Sequence, residues 1–137
     1  MTMTRRLGLA LLLASLAGAG AALAEDAPTI VRTTPAGQPV KLRNHALSAA
    51  CTGEPPTISF SQKPAHGTVD IRPERFIFGK GYVSGVTKSC EGQPVDGIAL
   101  WYTPAAGFHG VDQIGWTADF GGKRRRVDNY TAQVTVQ

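Results

Sequence analysis

The sequence predicts an all-β domain: a sandwich of about seven to eight short strands, fastened by one disulfide. Three observations carry this. From Thr29 onward apolar residues recur with a period of two rather than 3.6. Turn-forming clusters such as Ala36-Gly37, Glu54-Pro55-Pro56, Lys63-Pro64 and Gly121-Gly122 separate nearly every apolar run. No stretch after residue 24 sustains a helical stripe, and the chain's nine Pro and sixteen Gly interrupt most windows. Many short strands with this punctuation fit a sandwich better than a barrel.

The elements follow in order. Residues 1–24 read as a cleaved export signal. Arg5 and Arg6 precede a short Leu/Ala run, and Ala22-Leu23-Ala24 offers a small-x-small cleavage pattern before Glu25-Asp26. The charge-free run from Leu7 to Ala24 is broken by Gly8, Ser15, Gly18 and Gly20, marginal for a membrane anchor. Residues 25–137 then form a single domain. Its strand candidates begin with Ile30-Val31, Val40-Lys41-Leu42, Ile58-Ser59-Phe60, Val69-Asp70-Ile71 and Phe76-Ile77-Phe78. The denser run from Ile98 to Tyr102 suits a strand covered on both faces. Two longer strands show clean alternation: Ile114, Trp116, Ala118 and Phe120 on one face, and later Tyr130, Ala132, Val134 and Val136. Trp116 lies on the most apolar of these faces and is expected between the sheets.

Composition bounds the partners. An apolar content of 42% excludes a disordered chain, and 18% charged residues exclude a charge-dominated tail. Removal of the first 24 of 137 residues leaves 113, enough for one core. It also takes Arg5 and Arg6, so Lys+Arg falls from 14 to 12 against 10 Asp+Glu. Four of the remaining cations form one run, Lys123-Arg124-Arg125-Arg126. The basic balance is therefore local. Together with the export signal and the lack of interleaved aromatics, it argues against nucleic acid.

Cys51 and Cys90 are the chain's two cysteines. In an oxidising compartment the even count favours their pairing. Neither sits in an alternating pattern, so the bridge is expected to staple two loops. The absence of Cys-x-x-Cys leaves no local redox motif. Residues 79–97, with five Gly, one Pro and Cys90, break the strand rhythm. They read either as an insertion held down by the disulfide or as a recognition loop displaying Tyr82 and Lys88.

Two motifs carry a resemblance. Pro64-Ala65-His66-Gly67-Thr68-Val69 resembles the P-x-H-G-T-V segment of bacterial immunoglobulin-like, cadherin-like domains. The stretch from Tyr102 to Trp116, YTPAAGFHGVDQIGW, is similar to their Y-T-P-x-x-G-F-x-G-x-D-x-F-x-Y signature. The last run, from Tyr130 to Val136, is similar to their final strand. Ile114 and Trp116 stand where Phe and Tyr are usual, the cysteine pair is additional, and one copy is present where such domains usually occur in tandem in surface adhesins. The resemblance implies an Ig-like sandwich with a structural or binding role and no catalytic residue. In physical terms, Pro104 ends a ladder and Gly107 and Gly110 permit a compact corner. Phe108 is expected to plug the sandwich end, and Asp112 to accept backbone N–H groups in the turn.

Catalytic and metal chemistry finds little support. His45, His66 and His109 lack the short paired spacing of a zinc site. Tyr82-Val83-Ser84-Gly85 lacks the glycine two before the serine that a nucleophile elbow requires. No spacing suggests paired carboxylates, no cofactor is implied, and the sequon Asn129-Tyr130-Thr131 reads as chance in a bacterial protein. The basic run has two readings: a solvated edge that deters strand-to-strand aggregation, or a contact for an anionic envelope polysaccharide or an acidic protein surface. The expected function is an exported, non-catalytic binding or structural module of the bacterial periplasm or cell surface. The alternative is a periplasmic inhibitor that presents residues 79–97 to a target enzyme.

Overall fold

The computed structural model describes residues 29–46, 55–78, 91–121 and 126–137. Every regular element among them is a strand: β1 (Thr29–Thr34), β2 (Val40–His45), β3 (Thr57–Gln62), β4 (Gly67–Ile77), β5 (Pro94–Pro104), β6 (Gly110–Asp119) and β7 (Val127–Val136). They form two sheets, ordered β1-β7-β6-β3 and β2-β5-β4. All neighbours pair antiparallel except β1, which runs parallel to β7. Among the described residues no helix is long and apolar enough to cross a membrane.

The alternation in β6 and β7 sets the layer. Ile114, Trp116 and Ala118 from β6, with Ala132, Val134 and Val136 from β7, turn inward and are buried. All of these but Ala118 join Ile30 from β1, Leu42 from β2 and Ile98, Leu100 and Tyr102 from β5 in one core. Trp116 and Tyr102 are the largest fully buried side chains, as the apolar face of β6 led one to expect for the tryptophan. The two open edges on one flank are tied by Arg32 of β1, whose Nε and Nη2 donate to the carbonyls of Lys41 and Leu42 at 2.9 and 2.8 Å. Phe78 and Val95 make a smaller cluster with Phe76 and Ala46.

The sequence offered two separate strand candidates, Val69-Asp70-Ile71 and Phe76-Ile77-Phe78; the structure runs one strand, β4, unbroken for 11 residues through Pro73. The physical reason is position. β4 is an edge strand, and its only ladder is with β5. A proline that cannot donate outward costs such an edge nothing. The run from Ile98 to Tyr102 is buried on both faces as expected, Ala99 included, except at Trp101. Ile98, Leu100 and Tyr102 face the core, whereas half-buried Trp101 stands on the outer face, covered by long charged side chains rather than by another layer.

Candidate functional site

Polar side chains collect in three places, and two are structural. At one end of the sandwich, the corner expected around Asp112 is larger than a turn. Its Oδ1 accepts the Ala65 and Gln113 N–H groups at 2.9 and 3.0 Å, and its Oδ2 the His66 N–H at 2.8 Å. The Tyr102 hydroxyl lies 3.0 Å from Oδ2 and 3.2 Å from the His66 carbonyl. Burial disfavours the Asp112 charge, but these donors outweigh it and hold the carboxyl below its ordinary range. Burial, reinforced by Asp112, pushes the Tyr102 hydroxyl well above its usual value. This carboxylate thus joins the two resemblance motifs, 64–69 and 102–116, into one knot. Gly67 is part of it, since a Cβ there would stand 2.5 Å from the Tyr102 ring and from the Thr103 carbonyl. Gly107 and Gly110 take positive φ of 76° and 142°, as the corner required. Half-buried Phe108 packs against the core and stacks on His66 at 4.3 Å.

The second collection surrounds His45, which sequence reading weighed only as a metal ligand. It closes β2 and is buried, with Nε2 accepting the Trp116 indole N–H at 3.0 Å. Its ring lies edge-on to Tyr130 at 4.9 Å, and the Arg43 guanidinium covers the Tyr130 ring at 4.7 Å. Burial first, and then Arg43, lower the His45 pKa to about 4 against the opposing pull of Asp128. The imidazole is therefore a neutral acceptor that satisfies a buried indole. No signal in the sequence marks it, because its partner lies 71 positions away.

The third collection is exposed. On the outer face of β2-β5-β4, Trp101 lies between Lys41 and Asp70 in register. The Lys41 ammonium and the Arg72 guanidinium lie 5.1 and 5.4 Å from the Trp101 ring centre. Glu74 accepts from the indole N–H at 3.3 Å and pairs with Lys41, while Arg72 pairs with Asp70. Two cations meet two carboxylates, so the patch is charged but locally balanced.

Of the residues singled out for binding, Cys51, Cys90, Tyr82, Lys88, Lys123, Arg124 and Arg125 lie outside the described residues. Arg126 is described, and it is engaged. Its Nη2 and Nε meet the two carboxylate oxygens of Asp128 at 2.7 and 2.9 Å, and its guanidinium lies 5.6 Å from the Phe120 ring. The Phe120 N–H donates to the Arg126 carbonyl at 2.9 Å, which closes the described ends of the β6–β7 connection. Among the described residues no three His, Cys, Asp or Glu side chains gather as a metal site. His45 is buried, and His66 and His109 are exposed in separate turns. In comparisons with family models, curated proteins and solved structures, nothing matches this chain.

Proposed function

We propose that the chain is an exported, non-catalytic binding or structural module of the bacterial periplasm or cell surface, built as an Ig-like, cadherin-like sandwich. The observation that supports this most is the use made of its buried polar groups. Asp112, Tyr102 and His45 each spend their hydrogen-bonding capacity inside the fold, on backbone amides, a carbonyl and an indole. These groups serve the fold, which supports recognition by surface chemistry on sheet faces and connections rather than bond making. The basic run 123–126 supplies a contact for an anionic envelope polysaccharide or an acidic protein surface.

The test is a retention assay on isolated envelope material. The protein is expected to bind at low salt and to be released as salt rises, because exposed charges are screened. Failure of the exported protein to associate with any envelope fraction or envelope protein would remove the module reading.

A further inference from the structure

The outer face of β1-β7-β6-β3 differs in kind from the rest of the surface. Its outward positions form a grid set by the strand registers. One row across the strands is Val31, Gln133 and Gln113; the next is Thr29, Thr131, Gly115 and Gln62. Thr33, Thr135 and Val111 flank these on one side, and Asn129, Thr117 and Ser59 on the other. Among the described residues the face carries no Lys, Arg or Glu, and its one acid, Asp119, lies at the far end of β6. The opposite sheet instead carries Lys41, Asp70, Arg72 and Glu74.

A groove of about 230 Å³ crosses this neutral face, lined by Thr29, Thr131, Gln133, Gln113 and Gln62 together with apolar Ile114 and Ala132. It takes a side chain from every strand of the sheet. The irregularity in β3 between Phe60 and Gln62 shapes one end, bringing Ser61 over Gly115. A Cβ on Gly115 would stand 2.7 Å from the Ser61 hydroxyl, so this close approach of β3 to β6 beside the groove needs a glycine.

We propose that this groove binds an uncharged polysaccharide chain laid across the strands. The proposal rests on the binding-module reading and names the ligand class. Hydroxyls and primary amides offer donors and acceptors together, which is what a sugar presents in return. With no cation, the groove has nothing for a phosphate, sulfate or uronate. It also lacks the Tyr, Trp and Arg anchors on which protein interfaces depend. Strands lie about 4.8 Å apart, close to the length of one pyranose ring, so a chain crossing them meets a fresh side chain with each sugar. Three strand intervals span about 14 Å, room for roughly three rings. Exposed Val31 and Val111, on the same face, lie where they can pack against sugar C–H groups. Without an aromatic platform each ring contributes little, so binding should strengthen with chain length.

The test measures retention of the full chain on amorphous cellulose, linear β-1,3-glucan and mannan, with alginate as the anionic control. Retention on at least one neutral polysaccharide, indifferent to salt, is expected. The double variant Gln113→Ala, Gln133→Ala should bind at least about tenfold more weakly with an unchanged Tm, since it removes two amides that line the groove from outside the core. Replacing 123–126 with Ser should leave this retention intact. No retention on any of the three neutral polysaccharides overturns the proposal; salt-sensitive envelope binding through 123–126 would then still uphold the module reading. Retention that survives the double variant overturns the placement. Sedimentation that detects a dimer, dissolved by the same two substitutions, would assign the face to a second copy and equally overturn it.

Discussion

Asp112 and His45 are polar residues doing opposite electrostatic work inside one sandwich. Asp112 stays charged because four donors converge on it; His45 stays neutral because burial and Arg43 disfavour its proton. Asp112→Ala would leave the Ala65 and His66 N–H groups and the Tyr102 hydroxyl without their acceptor. A loss of about 3 kcal/mol is expected by urea unfolding, the range for stranded partners of a charged group. Trp116→Ala, which opens the centre of the core, should cost roughly 3–5 kcal/mol. A loss below about 1 kcal/mol would contradict the burial of that ring. His45 gives a pH dependence with a definite sign. Its folded pKa of about 4 lies below its ordinary 6.5, so the unfolded chain takes up the proton first as pH falls. The stabilisation is complete above pH 6.5 and is lost progressively towards pH 4, by up to roughly 3 kcal/mol. Unfolding midpoints across that range test it, and His45→Gln should flatten the slope. Asp112 runs the same way but lower. Its depressed pKa keeps its contribution intact above the ordinary carboxylate range, and loss begins only as pH falls further.

At the scale of elements, legibility followed burial. β6 and β7 could be read residue by residue because one face of each is core and the other is open, which forces a period of two. The Y-T-P-x-x-G-F-x-G-x-D stretch was legible for a second reason: its corner needs particular residues, and Asp112 and Gly107 take the parts expected of them. β4 was misread because local sequence cannot say which strand lies at an edge, and only there is Pro73 harmless. The bulges in β2 and β3 were invisible, since a register shift is a property of two strands. The neutral groove was missed for the same reason: its lining comes from four strands whose order the sequence does not state. The basic run is the element that lends itself to test. Arg126 and Asp128 form an ion pair whose arginine is more than half exposed, so it adds little to folding. Replacing Lys123, Arg124, Arg125 and Arg126 with Ser should leave Tm nearly unchanged and abolish low-salt retention on anionic polysaccharide. Full retention together with aggregation on storage would make the run an edge guard and end its binding role.

At the scale of the molecule, the strands that precede Cys51 and follow Cys90 in sequence, β2 and β5, are neighbours in one sheet. β2 and β5 pair antiparallel, with His45 opposite Ile98. β5 begins at Pro94, four residues before that register position. Cys51 follows His45 by six positions and Cys90 precedes Pro94 by four. A Cys51–Cys90 bridge is expected from the even count and the export signal. Closing a loop of this length would stabilise the fold by about 4 kcal/mol in the chain-entropy model. Non-reducing mass spectrometry of exported protein should therefore find a single intramolecular disulfide. Reduction should lower Tm, and Cys51→Ser should lower it as much as Cys51→Ser with Cys90→Ser, because either change opens the same loop. Two free thiols in the exported protein would overturn the bridge. An intermolecular disulfide would do so as well, and would place the sheet end beside a second chain.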